Sequence, residues 1–420
     1  MNTTKTAFDA AKEHYGALGV DVERALTTLS TIPLSIHCWQ GDDVGGFERV
    51  GAQLEGGGIQ VTGNYPGKAR TVEELRGDLE VMYGLLPGKH RLALHMSYGE
   101  FGGRAVDRDQ VELSHYRGWI DWAMAKGLKL DMNSTFFSHP KAADGFTLSS
   151  KEKGVRDFWI EHAKRTREVS AGIGKELGSA CIHNVWIPDG MKDYPADRIG
   201  YRRNLEHSLD EIFEKEYPSG HLKDAVESKL FGLGSEAYVV GSHEFYLGYA
   251  ITRRKLLTLD MGHFHPTESV ADKISAILLY CDELLLHVSR PMRWDSDHVV
   301  TFSDELRFLA EEIVASGRLP QIHVGLDFFD ATINRVGAWT IGARSMLKAL
   351  LTALLAPRDR LLRAEEEGDW FARLQLFEQA KSLPLGAVWD YYCSAHGAPV
   401  EQEIIERVHS YERSVLSKRA

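Results

Sequence analysis

The sequence predicts an α/β fold, a (β/α)8 barrel of the TIM type with additional C-terminal helices. Three observations predict it. Eight short apolar runs are spread along the 420 residues, most of them separated by segments long enough for a crossover helix. Four consecutive runs carry a polar, metal-capable residue near their C-terminal ends, the face on which barrels build active sites. No early run is followed by the Gly-x-Gly-x-x-Gly loop that an open dinucleotide-binding sheet would want.

The candidate strands are, in order, "LSIHCW" around Ser35, "RLALHMS" around Leu94, "LKLDMN" around Leu130 and "ACIHNVWI" around His183. The remaining four are "DAVESKL" around Glu227, "LLTLDMG" around Leu259, "LLLHVS" around Leu286 and "QIHVGLDFF" around Val324. Their alternation with longer segments of helical character is the signature of βαβ units and a parallel sheet. Between them, "LSHYRGWIDWAMAKG" and "DKISAILLYCDE" read as crossover helices. So does "RRNLEHSLDEIFEKEY", with Leu205, Leu209 and Phe213 at four-residue spacing.

The glycine-rich "EGGGIQVTGNYPGKAR" has neither dinucleotide-loop spacing nor the Ser/Thr that follows the lysine of a phosphate loop. It reads as an active-site or subunit-contact loop. After the eighth run, "ARSMLKALLTALL", "DRLLRAEEEGDWFARLQLFEQAKSL" and "VEQEIIERVHSYERSVL" read as amphipathic helices for packing or oligomer contact. Residues 1–420 are thus expected to form one domain, with the barrel over about 30–340 and a helical extension over about 341–420.

Hydrophobic residues at 43% and charged residues at 26% indicate a globular chain and exclude disordered and fibrous classes. The formal net charge of -11 points away from a nucleic-acid partner, which would ask for a basic face. Cys38, Cys181, Cys281 and Cys393 are far apart and form no Cys-x-x-Cys pair, so free thiols in a reducing compartment are expected. The opening "MNTTKTAFDAAKEHYGALGV" has no apolar core of a signal peptide, and no apolar run approaches the roughly 20 residues of a membrane span. A cytoplasmic protein with no membrane partner is the expectation.

The chemistry lies at the strand ends. Glu227 ends "DAVE", Asp260 ends "LLTLD", His287 ends "LLLH" and Asp327 closes "IHVGLD". One carboxylate at such a place serves as a helix cap or ion-pair partner. Several converging ones differ, since two carboxylates about 4 Å apart repel by roughly 4 kcal/mol at an effective dielectric near 20. Such a set needs a cation, shared protons or strong hydrogen bonds, and a divalent ion is the economical answer.

A second set follows, with His263 and His265 in "DMGHFHPTE" and Asp295, Asp297 and His298 in "RPMRWDSDH". In extended backbone Asp295 and Asp297 point the same way and can approach one ion together. "DSD" otherwise reads as a hydrated turn, and "HFHP" as a pair of hydrogen-bonded strand-end histidines. Histidine nitrogen with carboxylate oxygens favours manganese, magnesium or cobalt over a thiolate-type zinc site.

These segments also carry a resemblance. "CWQGDDVGGFE", "GNYPGKAR", "FFSHP", "WIPDGMKD", "VESKLFGLGSE", "GHFHPTE", "HVSRPMRWDSDHVV" and "GLDFFDATINR" resemble, in this order, the L-rhamnose isomerase family, from about Pro33 to the last helices. The resemblance implies a metal-dependent aldose–ketose isomerase interconverting L-rhamnose and L-rhamnulose, with hydride transfer between C1 and C2. It implies that Glu227, Asp260, His287 and Asp327 hold a structural metal, and that His263, Asp295 and Asp297 belong to a catalytic-metal site. The cofactor is then a divalent ion at two sites per subunit, manganese foremost, with zinc, cobalt or magnesium as alternatives. Lys229, Trp186 and His95 match positions that face the sugar, and a homotetramer is implied.

Within that reading, Asp327 and a water it orients move the proton between O1 and O2. Lys229 either adds positive charge beside the carbonyl oxygen or pairs with Glu227 or another neighbour. Trp186 is either the floor of a sugar pocket or ordinary core, and Trp39 and Phe329 are candidates of the same kind. His95 hydrogen-bonds a sugar hydroxyl or is a satisfied strand histidine. A proton-transfer route through an enediol stays open beside the hydride shift. The rival functions are another metal-dependent barrel isomerase or epimerase, a metal-dependent endonuclease, and a sugar-binding protein with structural metal only.

Overall fold

The computed structural model describes residues 2–42, 44–48, 63–230, 236–293 and 295–419. All eight candidate runs are strands. They are β1 (Leu34–His37), β2 (Arg91–His95), β3 (Lys129–Asn133), β4 (Cys181–Val185), β5 (Leu222–Glu227), β6 (Leu256–Asp260), β7 (Leu284–Val288) and β8 (Ile322–Leu326). Each pairs in parallel with the next, and β8 closes on β1. The (β/α)8 barrel with additional C-terminal helices is therefore the fold.

Seven helices fill the crossovers, Val72–Tyr83, Arg117–Lys126, Lys153–Leu177, Arg198–Phe213, His243–Arg253, Ala271–Ile277 and Asp304–Ala315. Several start on the residue the sequence supplies for it. Thr71 accepts from the Glu74 amide, Ser303 from that of Leu306 and Asp197 from that of Gly200, each satisfying an otherwise orphaned helix donor. In Arg198–Phe213, Leu205, Leu209 and Phe213 are buried as their spacing requires. Helix Arg335–Leu354 packs on Asp304–Ala315 and on β1, completing the ring.

Two helices precede β1, Asn2–Gly16 and Val22–Leu29, and Phe8 of the first stacks on Tyr391 with ring centroids 3.7 Å apart. The segment read above as one helix from "DRLLR" to "AKSL" is two, Arg358–Glu366 and Trp370–Lys381. Gly368 adopts a left-handed φ of 71°, and the Asp369 carboxylate accepts from the Ala372 amide, so one helix stops and another starts.

Side chains alternate along each strand, which layers the barrel interior. Near the N-terminal end, Asp131 accepts from Ser35 (2.7 Å), from Arg91 (2.7 Å) and from the Ile182 amide (2.9 Å). An apolar cluster of Ile182, Ala225, Leu256 and Leu285 lies in the wall. Two residues further along the same strands come Asn184, Glu227, Thr258 and His287, so polarity rises toward the C-terminal mouth. Gly325 of β8 makes room there, because a Cβ at that position would stand 3.3 Å from the His287 ring. All four cysteines are buried and free.

Candidate active site

Glu227 and Asp260 are the last residues of β5 and β6, His287 is the last but one of β7, and Asp327 follows β8 directly. One donor atom from each lies within 4.8 Å of all the others. His287 Nδ1 stands at the centre, 3.2 Å from Glu227, 3.3 Å from Asp327 and 4.0 Å from Asp260. The parallel register, with Glu227 beside Thr258 and Asp260 beside His287, brings these strand ends to one level.

The electrostatics follow from burial. Burial, opposed by His263 and reinforced by Glu227 and Asp327, pushes the Asp260 carboxyl up to about 7. For Asp327 burial acts in the same sense, but the nearer His287 outweighs it and holds the carboxyl at about 2. Burial opposes the charge on His287, yet Glu227 and Asp327 raise it well above the ordinary histidine value. Crowded anions are thus balanced by one shared cation and a reluctant acid. A divalent ion would relieve the same crowding more completely. Three carboxylates and one imidazole make a hard donor set that fits such an ion, and no thiol is part of it.

His263, on the turn after β6, joins this group. Its Nδ1 is 3.4 Å from Glu227 and its Nε2 3.9 Å from Asp260. Its ring lies nearly parallel to Trp186, with centroids 6.4 Å apart. His265 does not join, since its Nδ1 meets the Thr267 hydroxyl at 2.8 Å on the exposed turn. Asp295 and Asp297 lie on a short strand, Asp295–His298, antiparallel to Arg290–Met292. The positions of their side chains lie outside the described residues, as does Trp294.

The remaining candidates surround the cluster. Trp39 donates its indole N–H to Asp327 at 3.0 Å, and its ring meets that of His95 edge-on at 4.7 Å. Nδ1 of His95 contacts the Thr135 hydroxyl at 3.1 Å, and burial lowers this histidine to about 3, so it is neutral. Phe137, from "FFSHP", stands between the candidates, 5.7 Å from His95 and 5.8 Å from Trp186. Trp186 is buried, and among the described residues its indole N–H has no partner. Phe329 is buried two residues beyond Asp327.

Lys229 is buried and engaged by the Pro188 carbonyl at 2.7 Å and by Glu236, not by Glu227. Pairing with a residue seven positions away is not visible in strand spacing. The described end of the glycine-rich segment reaches the same mouth. Gly63, at φ 103°, is so close to the Ala331 carbonyl that a Cβ would stand 2.4 Å from it, and the Tyr65 amide donates there at 2.7 Å. Residues 55–62 of that segment lie outside the described residues.

Asn184 is a further polar residue at the cluster. Its amide donates to Glu227 at 2.5 Å and accepts from the Thr258 hydroxyl at 2.8 Å. The only signal for it in the sequence was a buried-strand position holding a polar residue, "CIHNVW".

The family model described as RhaA, L-rhamnose isomerase, matches residues 2–419. The L-rhamnose isomerase of Rhodopirellula baltica is 56% identical over 414 residues, covering 99% of this chain and 96% of its own length. That of Salmonella paratyphi B is 54% identical over 414 residues, covering 99% of this chain and 98% of its own. Agreement at this level over nearly the full length leaves no room for a different barrel family: the chain belongs to the L-rhamnose isomerase family.

Proposed function

We propose that this aldose–ketose isomerase interconverts L-rhamnose and L-rhamnulose in a metal-dependent reaction, by hydride transfer between C1 and C2. The observation that carries the metal dependence is the convergence of Glu227, Asp260, His287 and Asp327 at the C-terminal mouth of the barrel. When bound there, a divalent ion, manganese foremost, supplies Lewis-acid polarisation of the carbonyl and charge for the developing alkoxide. A second site is assigned to His263 with Asp295 and Asp297, supported by the contacts of His263 with Glu227 and Asp260.

The chain's own residues have distinct tasks in this reading. Asp327, held ionised beside His287 and steadied by Trp39, orients a water, and the two together move the proton between O1 and O2. His95 is neutral, and its Nδ1 contact with Thr135 leaves Nε2 for a sugar hydroxyl. Lys229 brings positive charge near the carbonyl oxygen, moderated by Glu236. Trp39, Trp186 and Phe329, together with Phe137, wall the pocket with apolar surface. Such walls exclude water, and a dry pocket favours hydride transfer over exchange with solvent.

A homotetramer is part of the proposal, supported by the apolar face of helix Trp370–Lys381, where Trp370, Phe371 and Leu374 are 65%, 78% and 57% exposed. Cytoplasmic location is proposed from the four free thiols. Among the described residues no helix is long and apolar enough to cross a membrane.

The test is to run the reaction on L-rhamnose in D2O and read the product by NMR. L-rhamnulose without deuterium at C1 is expected. Deuterium at C1 would replace the hydride shift by the enediol route, and a second aldose epimer would replace the isomerase by an epimerase.

A further inference from the structure

We infer that Asn184, fixed by Thr258, is a positioning residue that sets the orientation of the Glu227 carboxylate at the metal cluster. The inference rests on the metal reading above and adds the two residues that would tune it. Asn184, Thr258 and Glu227 come from three adjacent strands, β4, β6 and β5, and all three are buried. The register sets Asn184 beside Ala225 and Thr258 beside Glu227, so the three side chains project inward at one end of the barrel.

A carboxamide can present either its oxygen or its nitrogen to a neighbour, and the two choices are opposite in sign. With the nitrogen toward Glu227, Asn184 donates to the carboxylate at 2.5 Å. Flipped, its oxygen would face a carboxylate oxygen and both would repel. The acceptor-only carboxylate thus selects the amide orientation, and the Thr258 hydroxyl, donating to Asn184 Oδ1 at 2.8 Å, anchors the amide in that place. The relay Thr258–Asn184–Glu227 reaches Glu227 Oε2, which also stands 3.2 Å from His287 Nδ1, while Oε1 lies 3.3 Å from His287 and 3.4 Å from His263. One lone-pair region of Oε2 is thereby committed, and the carboxylate is held with both oxygens facing the cluster where an ion would sit. Partners that orient a ligand in this way typically carry about 10- to 100-fold in metal affinity.

The experiment is calorimetric titration of chelated full-length protein with Mn²⁺, alongside thermal unfolding of each metal-free variant. Asn184→Ala is expected to raise the Mn²⁺ Kd about 10- to 100-fold. Thr258→Val should raise it by a smaller factor and Thr258→Ser, which keeps the hydroxyl, should restore it. The double variant Asn184→Ala with Thr258→Val should match Asn184→Ala alone, because Thr258 acts only through Asn184. A purely packing role would lower the unfolding temperature and leave Kd in place. Wild-type Mn²⁺ affinity in Asn184→Ala, or multiplicative effects in the double variant, would overturn the inference. If Asn184→Ala fails to fold, the Thr258→Val and Thr258→Ser pair decides, and equal Kd values for the two overturn it. A wild-type chain that takes up no Mn²⁺ would overturn the metal reading itself, and this inference with it.

Discussion

Replacing Trp39 by phenylalanine isolates one hydrogen bond at the candidate catalytic acid–base. The indole N–H lies 3.0 Å from Asp327, whose other oxygen is 3.3 Å from His287. Phenylalanine keeps an aromatic ring to meet His95, which lies 4.7 Å from the Trp39 ring, but removes the donor. A hydrogen bond to a charged group contributes about 1.5–3 kcal/mol. At about 1.4 kcal/mol per factor of ten, its loss corresponds to a fall of roughly 10- to 150-fold in kcat/KM. The assay is conversion of L-rhamnose to L-rhamnulose at saturating Mn²⁺, with a parallel Mn²⁺ titration and a thermal melt. The reasoning predicts a drop in kcat/KM within that range while the melt changes little. A variant with wild-type kcat/KM and wild-type metal affinity would refute the role given to Trp39 and weaken that given to Asp327.

Other predictions probe separate parts of the account. Lys229→Met should lower kcat strongly, and a fully active variant would remove Lys229 from the reaction. Arg167 clasps Asp224 at 2.9 and 3.0 Å in the wall between β5 and the long helix Lys153–Leu177. Arg167→Met leaves that buried carboxylate with only His183 at 3.1 Å and Lys255 at 3.5 Å and should cost at most about 3–5 kcal/mol in denaturant unfolding, and a loss within error of zero would contradict the assignment. Burial raises the Glu283 carboxyl, but His323 and Lys223 outweigh it and hold it at about 2. Its folded value lies below its unfolded value, so the stabilisation is complete above the unfolded value, near pH 4.5, and is lost as the pH falls toward 2. With solvent screening of this half-buried pair, Glu283→Gln should therefore be less stable by about 1 kcal/mol at pH 7, with the gap narrowing below pH 4.5. A gap independent of pH would assign it to packing instead.

Much of the barrel was legible because parallel strands buried on both faces are written as short apolar runs. Against that background Glu227, Asp260, His287 and Asp327 stand out as polar endings, and the barrel brings all four together. Their convergence needs only that neighbouring strands run in register, which closure enforces. Residues off the strands were not legible in the same way. The partner of Lys229 is Glu236, seven positions on, and Phe137 reaches His95 and Trp186 from the turn after β3. Strand periodicity says nothing about either. Asn184 could have been noticed as an amide inside a buried strand, but its partner Thr258 lies on a strand distant in sequence. The break at Gly368–Asp369 was written in the sequence as a glycine followed by a cap, and the helix-forming residues on both sides concealed it.

The central claim is metal-dependent isomerisation at the Glu227, Asp260, His287 and Asp327 cluster. Its most direct test is turnover of L-rhamnose by chelated protein, before and after adding back Mn²⁺, with L-rhamnulose as the measured product. The account predicts activity that vanishes on chelation and returns with the metal. Full turnover by thoroughly chelated protein, or no turnover by folded protein under any divalent metal, would contradict it.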